Sequence, residues 1–385
     1  MKSKLVNFLF IFLFVFSLLG FSILSAIEAD ESYSRTENRN YTQFEAPSWK
    51  TVLDGSWLGF FETYNKDQFF ARNTTLQAYN YLLDSIHVNE RNGYVMGKDN
   101  FVMSVNSSYV SESALKNAQN YGERQVSAMT TIAETADAYG GTVIYLNIPH
   151  KIELFTEKYP KFYNNGEQLV TLRRDSIIQK AKNAGITVVE TFDLLESHKD
   201  EYIYYATDHH WTIRGAYYAY QALLECINNR QSEYTLHFPA FEELNLTVNS
   251  DRMVGSYLKK LGDSGIVNVD YMEYALPANM PDYTRYDGGK VSKTPLCDTS
   301  NSSYVSFMGG DLANTVIDTN RDDLPSILYI GYSYTNPLEM MSVYNFNRME
   351  SLDPRHWSGS ICQYIEESKP DYIVIVRDDL TDVNF

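Results

Sequence analysis

Three runs in this chain are apolar almost throughout and only as long as a strand: Thr142–Ile148, Ser326–Ile330 and Asp371–Val376. A strand with one wet face alternates polar and apolar residues, whereas a strand buried on both faces does not. Helical patterns surround the runs, at Glu112–Tyr139 closed by Gly140-Gly141, at Leu169–Ala184 closed by Gly185, and after Trp211, with a further short strand at Ile186–Glu190. Doubly buried strands alternating with amphipathic helices predict an α/β fold, a mainly parallel sheet between two helical layers. Upstream, aromatics recur in a helical rhythm from Trp49 to Asp84. Tyr94–Met96 and Phe101–Met103, joined by Gly97–Asn100, read as a hairpin whose Gly and Asn suit left-handed turn dihedrals. Phe238–Asn320 breaks the rhythm and reads as an irregular insertion over one end of the sheet.

The first residues constrain placement. Lys2 and Lys4 precede an uncharged apolar run, Leu5–Ile27, and a helix needs about 20 such residues to cross the hydrocarbon. The reading is an uncleaved anchor at 1–27 with its N-terminus inside, a polar linker at 28–48 and a domain at 49–385 lying outside. A cleaved signal peptide is the alternative, although Leu24-Ser25-Ala26 is a poor cleavage site. A net charge of −17 lacks the basic face that nucleic acid requires. The 31 tyrosines suit sugar faces and serve equally well in core and loops. Cys226, Cys297 and Cys362 are too far apart for metal-ligand spacing and imply no disulfide framework.

The segment Asp208-His209-His210-Trp211-Thr212 carries the clearest chemistry. In an extended segment residues two apart point to one side, so Asp208 can orient the imidazole of His210, which is half of a hydrolytic triad. Thr212 reads as the N-cap of a helix with an apolar stripe at Ile213, Ala216, Tyr217, Tyr220, Leu224 and Ile227. A surface loop with two ordinary histidines is the plainer alternative. For zinc, adjacent histidines are expected to point apart, and no second His or Cys cluster accompanies them. Trp211 occupies the place of the nucleophilic Cys in DHHC palmitoyltransferases, which sets that reading aside. The candidate nucleophile is Ser333 in Gly331-Tyr332-Ser333, at a strand-to-helix turn with Asn336 as N-cap, Pro337 at N1 and Glu339 at N3.

Taken in order, several blocks give the chain a specific resemblance. Tyr64–Arg72, Gly97–Phe101, Asp208–Trp211, Val254-Gly255-Ser256 and Gly331–Asn336 resemble the ordered blocks of the DHHW family. More distantly they are similar to the SGNH-hydrolase-like domain of alginate O-acetylation proteins of the AlgJ and AlgX kind. The resemblance implies an SGNH-hydrolase-like three-layer α/β/α fold and a triad of Ser333, His210 and Asp208. It also implies O-acyl transfer or ester hydrolysis on an envelope polysaccharide, without cofactor or metal. Gly255 and Ser333 amides are oxyanion candidates, and Asn336 a substrate-binding one. A multispanning membrane acyltransferase is the implied partner. Tyr332 stands where the family's block has Asp, which leaves open a second reading, a glycan-binding or assembly protein that kept the fold and lost the chemistry.

Overall fold

The computed structural model describes residues 2–34, 39–105, 111–161, 163, 167–267 and 269–378. They divide into two compact units, Met1–Asn92 with Leu258–Val267, and Gly93–Tyr257 with Asn268–Phe385. The sequence reading placed the division after residue 48 instead. In the first unit, α1 (Lys2–Ile27) contains the 23-residue span Leu5–Ile27, with a mean hydropathy of 2.6, long and apolar enough to cross a membrane. Three helices follow, α2 (Trp49–Leu53), α3 (Ser56–Asp67) and α4 (Arg72–Ser85). The polar stretch 28–48 is more than a tether. Arg39 pairs with the buried carboxylate of Asp67 at 2.5 Å, and the Thr42 amide donates to the same group at 2.9 Å.

The second unit begins with the hairpin β1 (Tyr94–Met96) and β2 (Val102–Ser104). Its turn corrects the expectation for Gly97. The positive φ values fall on Asp99 and Asn100, and Gly97 has φ −90°. Glycine is required there because a Cβ would lie 2.3 Å from the Lys158 carbonyl oxygen. Beyond it come α5 (Glu112–Asp137), β3 (Thr142–Ile148), α6 (Lys151–Leu154), α7 (Glu167–Asn183), β4 (Thr187–Glu190) and α8 (Ile213–Asn228). The later elements are β5 (Asn245–Arg252), β6 (Tyr271–Leu276), β7 (Thr284–Asp287), β8 (Lys290–Ser292), β9 (Asn314–Asp318), β10 (Ser326–Ile330), α9 (Asn336–Ser342), β11 (Arg348–Leu352), α10 (Ile361–Ser368) and β12 (Tyr372–Asp378).

Eight strands make one sheet in the order β8-β7-β9-β11-β10-β12-β3-β4. From β11 to β4 all neighbours are parallel, and β7, β8 and β9 extend that edge antiparallel. The period of two sorts the apolar runs into two layers. Tyr145, Leu328, Ile330, Ile373 and Ile375 pack under α5, α7 and α10. Ile144, Leu146, Ile327, Tyr329, Val374 and Val376 face the opposite layer, where α8 and α9 lie. This is the expected three-layer α/β/α fold. Every residue of the stripe read for α8 is buried, and Thr212 caps that helix by accepting the Gly215 amide.

Two expectations differ. The stretch Phe238–Asn320, read as irregular, holds the antiparallel pair β5–β6 and supplies three strands to the main sheet. Thr-Arg-Tyr-Asp and Lys-Val-Ser are short and polar, as edge strands are, so they carry no buried-strand signal. Asn336 is not the cap of α9. A 3₁₀ turn over Ser333–Thr335 advances the helix start, and Thr335 becomes its N-cap.

Candidate active site

Asp208 sits at the tip of a tight loop. Tyr204 and Trp211 face one another as an antiparallel bridge, and the Tyr205 amide donates to the His210 carbonyl at 3.2 Å. Folding the chain back so sharply leaves the tip's backbone groups away from solvent, and each needs a partner. Two buried charges supply them. The Asp270 carboxylate accepts the Ala206 amide at 2.8 Å and the Thr207 amide at 2.6 Å. The Lys151 ammonium, at the start of α6, donates to the carbonyls of Ala206 at 2.6 Å, Asp208 at 2.9 Å and Val102 at 3.1 Å. Burial pushes Lys151 down to about 7, against the pull of Asp270 and Asp208.

Within this loop Asp208 Oδ1 accepts both the His210 amide at 3.0 Å and His210 Nδ1 at 2.7 Å. The pair therefore meets through a bend in which the carboxylate also binds the backbone two residues on, and not through the extended segment expected. On the far side of the ring, His210 Nε2 lies 2.6 Å from Ser333 Oγ. Ser333 opens the 3₁₀ turn that follows β10, at the carboxyl end of the sheet, and Thr335 closes the turn by donating its amide to the Tyr332 carbonyl at 2.7 Å. Tyr334 ties the two loops together, donating its hydroxyl to the His209 carbonyl at 2.7 Å. The ring of Tyr304 stacks on His210 at 3.8 Å and 8°, fixing the imidazole plane.

Burial works against the Asp208 carboxylate, but the adjacent His209 and His210 outweigh it and hold it well below its usual range. His210 moves below the ordinary histidine value because burial and the nearby His209 outweigh Asp208. This reverses the simple expectation that a neighbouring carboxylate raises the imidazole. The two histidines also do not point apart. Their rings lie 3.7 Å from each other, and His209 Nδ1 is 3.1 Å from Asp208 Oδ1 and 2.9 Å from Ser256 Oγ. The bend at the loop tip brings both to one carboxylate, so ligand-type atoms of Asp208, His209 and His210 all fall within 4.8 Å of one another.

The remaining expected site residues are placed differently. The Gly255 amide is taken by Thr207 Oγ1 at 3.1 Å, and a Cβ there would meet the Thr207 carbonyl at 2.3 Å. Gly255 thus lets two backbones touch beneath the Asp208 loop, with the next amide, Ser256, donating to Asp208 Oδ2 at 2.5 Å. Asn336 is buried and donates to Asp311 Oδ1 at 3.3 Å. The cavity it lines with Tyr332 and Glu339 is ≈ 10 Å³, space for about one water rather than a sugar. Tyr332 is buried with its ring 4.8 Å from the Arg355 guanidinium, which is ion-paired to Asp311 at 2.6 Å and Asp353 at 2.5 Å. Sequence reasoning passed over Lys151, Asp270 and Tyr304. Lys151, directly after the buried strand and Pro149-His150, left a faint signal; the other two lie in the stretch with no periodicity.

Comparison with known proteins places this arrangement. A probable alginate O-acetylase, AlgJ of Pseudomonas syringae pv. tomato, is 27% identical over 194 residues, 48% of this chain and 46% of that protein. The chain thus matches under half of that relative's length. Among solved structures, a DHHW family protein from Eubacterium siraeum aligns with a TM-score of 0.59 at 20% identity, covering 77% of this chain and 94% of the other. Bacillus cereus PatB1, determined with a sulfonyl adduct, aligns with a TM-score of 0.60 at 17% identity, covering 74% and 93%. These two share its SGNH-like fold. Residues 101–351, which hold the loop, its two histidines and the Ser333 turn, match the family described as DHHW protein, and the chain belongs to that family.

Proposed function

We propose that this chain is an O-acyltransferase or esterase acting on a glycan of the cell envelope, with Ser333 as nucleophile, His210 as base and Asp208 as orienter. The observation that carries the reading is the continuous line Asp208 Oδ1–His210 Nδ1, 2.7 Å, and His210 Nε2–Ser333 Oγ, 2.6 Å. Nucleophile, base and orienter at such spacing are the parts of acyl transfer. The relative named as an alginate O-acetylase supports acyl chemistry on a polysaccharide.

Ser333 Oγ attacks the acyl carbonyl while its proton passes to His210 Nε2. The tetrahedral intermediate collapses, the donor's C–O bond breaks, and the leaving oxygen takes that proton. A sugar hydroxyl, or water in the esterase reaction, then gives its proton to Nε2 and attacks the acyl-serine, and the acyl C–Oγ bond breaks as Nε2 returns that proton to Ser333 Oγ. Asp208 keeps Nδ1 protonated throughout and stabilises the transient imidazolium. The oxyanion falls to the amide of Ser333, the first residue of its 3₁₀ turn and so without an acceptor inside it. Gly255 is committed to Thr207.

Lys2 and Lys4 ahead of the Leu5–Ile27 span favour an anchored protein facing outward. Acyl-CoA is absent there, so a multispanning membrane acyltransferase is the natural donor partner. Tyr332 in place of the family's Asp favours the second reading, a binding or assembly protein without turnover. Turnover of p-nitrophenyl acetate and labelling by a serine-directed phosphonate, measured on the protein and on Ser333→Ala and His210→Ala, separate the two. Both variants should lose roughly 10²-fold or more in rate, and Ser333→Ala should lose the label. Unchanged turnover in both would sink the mechanism.

A further inference from the structure

The first unit exposes an apolar surface that water does not favour. Residues 49–88 carry eleven exposed large hydrophobic side chains, whereas the described residues from 93 to 378 carry six. Neither α2 nor α4 buries a single residue. The exposed side chains share faces: Trp49 and Leu53 are four apart on α2, and Tyr79, Leu82 and Ile86 lie three and four apart on and just past α4. Trp49 is 85% exposed and Leu53 83%. Exposed apolar side chains clustered on helix faces in this way mark an interaction face.

The occupant is indicated by what the same unit holds. The last turns of α1 pack directly on the α3–α4 junction: Phe21 stacks on Phe69 at 5.4 Å, and Ser25 Oγ accepts the Phe70 amide at 2.9 Å. These helices therefore sit at the end of the segment that is long and apolar enough to cross a bilayer. Trp and Tyr, prominent on their exposed faces, are the side chains that settle at headgroup level. We propose that α2 and α4 form a collar seated in the lipid interface where α1 leaves the membrane, with Trp49, Leu53, Tyr79, Leu82 and Ile86 reaching toward the acyl chains. The collar lies parallel to the surface as an interfacial amphipathic element does, and it rests on the reading of α1 as an anchor.

The test uses the full chain, one copy per phosphatidylcholine nanodisc, with and without bromine on the upper acyl chain. Bromine quenches tryptophan only on contact. Of the four tryptophans, the exposed Trp49 should be quenched, Trp49→Phe should remove most of the bromine-dependent loss, and Leu53→Ser with Leu82→Ser and Ile86→Ser should reduce it. A bromine-dependent loss equal in the protein and in Trp49→Phe, with the protein still in the disc, overturns the collar and leaves the anchor standing. Quenching seen only in discs holding two copies assigns the face to self-association and also overturns it. Protein that elutes free of discs overturns anchor and collar together.

Discussion

His210 is pulled in two directions, and the balance sets the pH range in which it can act. Burial and His209 disfavour the imidazolium, Asp208 favours it, and the net direction is down from the ordinary value. As the proposed base His210 works when neutral, so activity should be full at neutral pH and fall on acidification through one ionisation below about 6.5. Asp208→Asn removes the stronger of two favourable charges, the other being Asp311. The acid limb should then move lower still, and the rate should drop roughly a hundredfold or more because the ring loses its orienter. A pH–rate profile on both proteins checks this, and an acid limb unmoved by the substitution removes the pairing from the account. The stability sign follows the same logic. A histidine held neutral by folding adds stability above its unfolded value and loses it as pH falls through the folded one. The turn at Tyr332 is closed by Thr335, which donates amide and hydroxyl to its carbonyl at 2.7 and 2.8 Å.

Among the elements, the loop that carries Asp208 is held by two opposite charges on different stretches of chain, Lys151 on its carbonyls and Asp270 on its amides. Lys151→Met leaves the carbonyls of Val102, Ala206 and Asp208 without that donor and Asp270 without a counter-charge. The unfolding free energy should fall by about 3–5 kcal/mol, as when one member of a buried ionic network is removed. Thr212→Ala, which deletes the cap of α8 and the hydroxyl's bond to the Tyr202 carbonyl, should cost about 1–2 kcal/mol. Urea denaturation of the two variants compares them, and equal losses would show that the loop does not depend on the buried charge. The cap and stripe of α8 were legible because both follow from local chain geometry. The start of α9 was read one residue late. Asn-Pro at 336–337 is a strong local entry signal, but a 3₁₀ turn anchored on Tyr332 precedes it.

For the whole molecule, one span among the described helices is long and apolar enough to cross a membrane. On the proposed reading the lysines ahead of Leu5 hold the N-terminus inside, and the chain beyond α1 lies outside. Added protease should digest the protein in intact spheroplasts or protoplasts. Protection until lysis would place it in the cytoplasm and end the envelope-glycan reading. The fold itself tolerates short polar strands at one edge, β7 and β8, because the parallel strands from β11 to β4 carry the core.

The parallel core, its two helical layers and the capped helix after Trp211 were determined by sequence alone, because a doubly buried strand and an amphipathic helix each announce their burial through spacing. The candidate triad was half legible: Asp208 and His210 are neighbours in the chain, and Ser333 stands at a strand end. Their actual meeting needed the tertiary structure. Asp208 is oriented by Gly255, Ser256, Lys151 and Asp270, and the His210 ring by Tyr304, none of which lies near in sequence. Such partners satisfy buried polar groups one by one, and that leaves no period in the chain. Only the folded backbone decides which distant carbonyl, carboxylate or ring will be the one within reach.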